Sequence, residues 1–232
     1  MAASQLSRML SELRQRCPHL SPTIIPRGFT DSEKSTALLA LCRDTAERQS
    51  LTETLSRARV ATDGRCALTG QQLGADELHI VSMWVVDPER HAFCIQGLVV
   101  VCKQVALLMQ VRYLLERFTR GTADTTELTE LAIFFCRVNG EISRCDDPFE
   151  ARLWLQECVN LAYACMVLAS SLGAWQVLGP ADQSLDGTVS TADLADTMFR
   201  GGAQPDTSIT ENRHTAPGSK GTRSSGKKRA RT

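Results

Sequence analysis

The chain has no run of about 18 uncharged apolar residues, the length that a membrane-crossing helix needs. Its richest apolar stretch, 158–172, is fifteen residues long and already contains Asn160, Ser170 and Ser171. That stretch reads as a buried helix of a folded domain, and no membrane association is expected. Net charge is absent too: Lys plus Arg and Asp plus Glu both number 26 over 232 residues. No internal repeat is visible. No secretory signal precedes the nine cysteines, an odd number. These are Cys17, Cys42, Cys66, Cys94, Cys102, Cys136, Cys145, Cys158 and Cys165. Free, mostly buried thiols in a reducing compartment are expected rather than a disulfide framework, with Cys136, Cys158 and Cys165 in apolar helical surroundings.

What is present suffices for a packed core. The hydrophobic fraction is 43% and the charged fraction 22%, and the length allows one or two domains. Charge is unevenly placed. Residues 211–232 hold seven Lys/Arg against one acidic residue, a net of +6, so residues 1–210 carry the balancing −6. An acidic body argues against a broad phosphate-binding surface there, and makes the tail the expected nucleic-acid contact.

Residues 1–30 form an N-terminal segment. Leu6, Met9, Leu10 and Leu13 predict a short amphipathic helix, with Arg8, Arg14 and Arg16 as a basic face. It could be a mitochondrial presequence, which Glu12 weakens, or a partner-docking or frayed terminus. Pro18, Pro22 and Pro26 then break the chain. A single globular domain is expected over 31–180. Its first helix spans about 32–60, capped by Thr30 or Asp31, and ends at the Asp63-Gly64 turn.

Two Val- and Ile-rich strands are expected at 77–86 and 92–101, joined by residues 87–91. A helix follows at 103–119, then a loop at 121–125. Another helix runs from 126 to 138 and stops at Asn139-Gly140. Asp146 or Asp147 caps a further helix, with Pro148 in its first turn, that runs to Ser171 and is central to the fold. After Pro180 the composition turns to Gly, Thr, Ser, Asp and Pro. A short helix is expected at 189–199, and disorder over 201–232. Residues 181–232 thus form a linker and basic tail.

One stretch carries a motif. Cys66 and Gly70 are followed by His79, by Trp84 and Asp87, by Glu89 and His91, by Gly97-Leu98, and by Cys102. The order is Cys-containing turn, strand, hairpin turn, strand, Cys-containing turn, helix. The series resembles the HNH-endonuclease-like proteins, whose core runs Cys-x-x-Cys-Gly, His, Trp-x-x-Asp, Asp-x-Glu-x-His, Gly-Leu and Cys-x-x-Cys-His. Residues 87–102 match without a gap. The segment 137–140, the helix after it and Trp175 extend the resemblance to about residues 64–178.

The resemblance implies an α+β, mostly helical fold with a ββα core at 64–119, embedded among helices. In that family a histidine at the end of the first strand activates water, a helix histidine helps to hold a catalytic metal, and a zinc bound by two Cys-x-x-Cys pairs clips the ends. Here Thr69 and Val105 stand where each pair has its second cysteine. Ala106 stands where the metal-binding histidine belongs, and Leu107, Leu108 and Met109 follow. Two thiolates are too few for a closed zinc site unless Cys94 or a histidine substitutes. The core is therefore read as degenerate, with no catalytic residue, metal or cofactor expected. His79 is the relict catalytic candidate, alternatively a strand histidine with a structural hydrogen bond. Cys66 and Cys102 are relict metal candidates or plain core thiols. His91 is read as capping the hairpin turn, and Trp84 and Trp154 as core.

The second motif is the cationic cluster Lys220, Arg223, Lys227, Lys228, Arg229 and Arg231. It has the density of a nuclear import signal and could equally contact phosphates. Three functions remain: a non-catalytic interaction protein in a nuclear assembly, a nucleic-acid-binding module using the tail, and a metal-dependent nuclease with ligands rearranged onto Asp87, His91 or Cys94. Protein partners are expected. Location is nuclear, with the mitochondrion as the alternative.

Overall fold

The computed structural model describes residues 2–26, 39, 42, 44–120 and 125–179. The fold is α+β: helices surround a small three-stranded sheet. Helix α1, Ala2–Arg16, buries Leu6, Leu10 and Leu13, the 3.6-residue stripe that the sequence shows. It packs on the long helix α7, Pro148–Ser171. The N-terminal segment is thus part of the common core.

Helix α2, Thr45–Ala61, starts where Asp44 accepts a hydrogen bond from the Glu47 amide at 2.8 Å. The residues 30 and 31 expected as caps, and most of 32–43, lie outside the described residues. Asp63 and Gly64 take positive φ of 51° and 71° and turn the chain. A side chain at Gly64 would meet the Leu73 carbonyl at 2.8 Å, so only glycine fits.

Strands β1, Leu78–Asp87, and β2, Ala92–Cys102, pair antiparallel from Leu78↔Cys102 to Asp87↔Ala92. A bulge at Met83/Trp84 breaks the register. The hairpin turn closes on Asp87, whose Oδ1 accepts from the Glu89 and Arg90 amides, both at 3.0 Å. His91 completes it with φ 54°. Trp84, Ile95, Leu98 and Val100 are buried, as their strand positions require.

The helix expected over 103–119 is two. Helix α3, Lys103–Leu108, ends before Gln110, and α4, Val111–Arg120, begins anew. The cause lies elsewhere in the chain. Residues 20–24 cross here, and the Thr23 amide donates to the Met109 carbonyl at 2.9 Å. In a continuous helix that carbonyl would accept from residue 113. Helix α5, Thr125–Val138, stops as expected, with Gly140 at φ 80°. A short helix α6, Ile142–Cys145, follows.

Of the two expected caps of α7, Asp147 is the one used, accepting from the Phe149 and Glu150 amides at 2.8 and 3.3 Å. Helix α7 packs against α1, α4, α5 and α6. By length and composition it is the one described helix that could cross a membrane. Its inner face, from Ala151 through Trp154, Cys158 and Cys165 to Ala169, is buried in the core. Strand β3, Gln176–Leu178, was not expected; it pairs parallel with β2 at residues 92–94. The helix expected at 189–199, the tail 201–232 and its six named cations lie outside the described residues.

Candidate functional site

Residues 64–73 form a knuckle. Arg65 bridges to Gln72, the Cys66 amide donates to the Gln71 carbonyl at 3.0 Å, and the Gly70 amide returns to the Cys66 carbonyl at 2.8 Å. Gly70 makes the return with φ 68°. The Ala67 amide donates to the Val100 carbonyl at 2.8 Å, which pins the knuckle to β2. Cys66 is thereby set beside Cys102, the last residue of β2 and the N-cap of α3. The two residues are 1% and 4% exposed.

The two thiols are hydrogen-bonded to each other. The Cys102 thiol donates to Cys66, and the Thr69 hydroxyl and the Thr69 and Cys102 amides add further donors. Those donors hold the Cys66 thiol well below its ordinary pKa, against the opposing pull of burial. Cys102 keeps its proton: the bond to Cys66 and burial raise it, opposed by the Val105 and Gln104 amides. Cys66, Thr69, Cys102 and the Val105 amide thus meet at one point.

The donor set there does not fit a metal. Structural zinc takes four Cys, His or carboxylate donors. This point offers two thiols, the Thr69 hydroxyl and backbone amides, among them that of Val105. Ala106, Leu107, Leu108 and Met109 on α3 are all buried, at 1%, 3%, 0% and 8% exposure, and pack into the core. Among the described residues no three of His, Cys, Asp and Glu are gathered as ligands.

His79 sits near the same end of the sheet, half-buried and paired with Val101. It borders a shallow polar cavity of about 570 Å³ together with Asp76, Glu77, Cys102 and Lys103. His91, at the far end of the hairpin, stacks on Trp175 at 4.3 Å, and its carbonyl accepts from the Gln176 amide at 3.1 Å. Trp175 in turn donates to the Ala169 carbonyl at 2.6 Å. His91 and Asp87 are therefore structural parts of the turn.

Two features escaped the sequence. Asn139 was read as a helix stop. Its side chain, 6% exposed, clasps the segment after α1: Oδ1 accepts from the His19 and Leu20 amides, and Nδ2 donates to the Leu20 and Phe135 carbonyls, at 2.9–3.1 Å. A lone Asn before Gly signals the cap and not the clasp. The second is a thiol contact between Cys17, just past α1, and Cys158 in the middle of α7. A groove of about 450 Å³ lies between residues 17–24 and the hairpin, bordered by Val85, Val99 and Val101.

The fold and site thus define a helical α+β chain with a thiol pair at the base of a β-hairpin. Comparison with protein-family models, curated proteins and solved structures gives no match.

Proposed function

We propose that the chain is a non-catalytic interaction protein, a subunit or adaptor of a nuclear assembly, built on an HNH-like ββα core that has lost its metal. The observation that carries this reading is the meeting of Cys66 with Cys102, with Thr69 and Val105 beside them. Two half-sites of a zinc clip converge, but half of the ligand positions hold groups that cannot replace a thiolate. An HNH-type core cleaves a phosphodiester with a metal that stabilises the developing charge, worth several kcal/mol. The helix that would supply the ligand presents buried Ala106, Leu107 and Leu108. His79 alone has no metal-activated centre to serve.

Helix α1 favours the nucleus over the mitochondrion. A presequence must be free to be read by its receptor, and Leu6, Leu10 and Leu13 are instead buried against the core. The cationic cluster from Lys220 to Arg231 remains as the address. Purification of tagged full-length protein from its native cells should bring down defined nuclear proteins. Deleting residues 219–232 should move the protein out of the nucleus. Cleavage of DNA or RNA with magnesium, manganese or zinc that disappears in His79→Ala would overturn the reading.

A second reading, nucleic-acid binding by the tail, rests on the seven Lys/Arg of residues 211–232. It expects binding that weakens steeply with salt and is lost when residues 211–232 are deleted.

A further inference from the structure

Helix α7 has a second face. Opposite its buried stripe, Phe149, Leu153, Tyr163 and Val167 are 62%, 39%, 43% and 49% exposed. Gln156 and Asn160 lie between them and are exposed too. The six positions are spaced 4, 3, 4, 3 and 4 residues apart, the spacing of a coiled-coil seam. None carries a charge, in a chain where 22% of residues do. An exposed, aligned row of large apolar side chains marks an interaction surface.

The row is also its own mirror image. Phe149 and Val167 each lie nine residues from Cys158, Leu153 and Tyr163 five, and Gln156 and Asn160 two. Two such helices laid antiparallel about an axis at the level of Cys158 set Phe149 across from Val167 and Leu153 across from Tyr163. Gln156 then faces Asn160, amide to amide. A two-fold interface requires this self-complementarity, each patch meeting itself reversed. A membrane or an unrelated partner asks for an apolar face and has no use for the reversal.

We infer that a second copy of this chain docks here, forming an antiparallel homodimer through the outer face of α7. The apolar pairs supply the burial. The central amides hydrogen-bond across the axis and fix the register, as a polar residue at a seam position does. The inference is independent of the proposed function. The contact is modest in size. Eighteen residues at about 1.5 Å each make a seam of about 27 Å by roughly 10 Å. That is smaller than the ~800 Å² per partner of a standard interface, so the dimer is weak and reversible.

Sedimentation of the full chain over roughly 1–200 µM, a range that brackets a micromolar Kd, tests it. The mass should rise from the 25.4 kDa of the monomer towards twice that value. Leu153→Lys and Tyr163→Glu alter exposed side chains, so both variants should keep the wild-type thermal midpoint, and each alone should stay monomeric. Mixed together they should dimerise again. The introduced lysine then faces the introduced glutamate, and the other crossing is the native Leu-Tyr pair. Parallel pairing would leave the mixture monomeric and would overturn the inference. So would a wild-type monomer at every concentration, a dimer that both substitutions leave intact, or a monomer that binds phosphatidylcholine vesicles through this face.

Discussion

Two thiol pairs, Cys66–Cys102 and Cys17–Cys158, are both buried; in each, one thiol, Cys102 or Cys17, is pushed up, and at the hairpin base its partner Cys66 is held down. At the hairpin base, amide and hydroxyl donors converge on Cys66 and favour its thiolate. Between α1 and α7, Cys17 has only the other thiol and apolar walls to set against the single charge of Arg16. The bond to Cys158 and burial push it far up. Depth alone therefore does not decide a thiol's chemistry; the count of donors aimed at the sulfur does. The knuckle makes an anion-friendly pocket around Cys66. The helical layer has none.

The sharpest way to break this comparison is to place a carboxylate at each site. Cys158→Asp would bury a charge with only the Cys17 thiol beside it to donate, and should cost about 3–5 kcal/mol, or prevent folding. Cys66→Asp meets the Thr69 and Cys102 amides and should cost clearly less. Urea unfolding of the two variants measures the gap, and equal losses would show that the knuckle donors do not act on charge.

The Asn139 clasp comes next. Asn139→Ala leaves the buried Leu20 backbone groups and the part-buried His19 amide without partners, at a cost of about 1–3 kcal/mol. The loss should appear in urea unfolding, with amide exchange rising first in residues 17–24. This clasp also shows where reading the sequence stops. The strands, the Asp63-Gly64 turn, the hairpin turn and α7 were legible because their causes are local: alternation, turn residues and a capped apolar run. The break at residues 109–110 arises from Thr23, and Asn139 bonds a segment 119 residues away. Strand β3 is three residues long and exists only because His91 and Trp175 bring it to β2. The site was half legible. The family resemblance picked out Cys66, Thr69, Cys102 and Val105, but not that the two thiols would bond to each other.

Alkaline pH separates the two regions less severely. Burial raises Cys136 to about 12 and Cys165 to about 11, from an ordinary 9.0. Above pH 9 the unfolded chain loses these protons while the folded chain keeps them, so stability falls as pH rises. The slope is about 1.4 kcal/mol per pH unit for each thiol, ending as pH passes the folded values. Replacing both with alanine should make the stability profile less steep between pH 9 and about 11, leaving the part that the raised Cys17 and Cys102 thiols supply, even though the baseline drops. A slope unchanged in that variant would assign the loss to other groups.

The smallest effect belongs to the hairpin thiols themselves. Cys66→Ser and Cys102→Ser each retain a small hydrogen-bonding group at a buried position. Each should cost about 1 kcal/mol, the net worth of one such bond. Because the two share one contact, the double variant should cost less than the sum of the singles. Core burial around them, from Val105, Leu107 and Leu108, is untouched and keeps the hairpin on α3. A metal clip would behave differently. Structural zinc contributes on the order of 10 kcal/mol to the fold of a small site, so losing one thiolate would be severe and a chelator would unfold the protein. The expected outcome is two mild, coupled losses and an unfolding midpoint that a chelator leaves in place. A chelator-sensitive midpoint that either serine abolishes would restore the metal and overturn the reading of this core as one that has lost it.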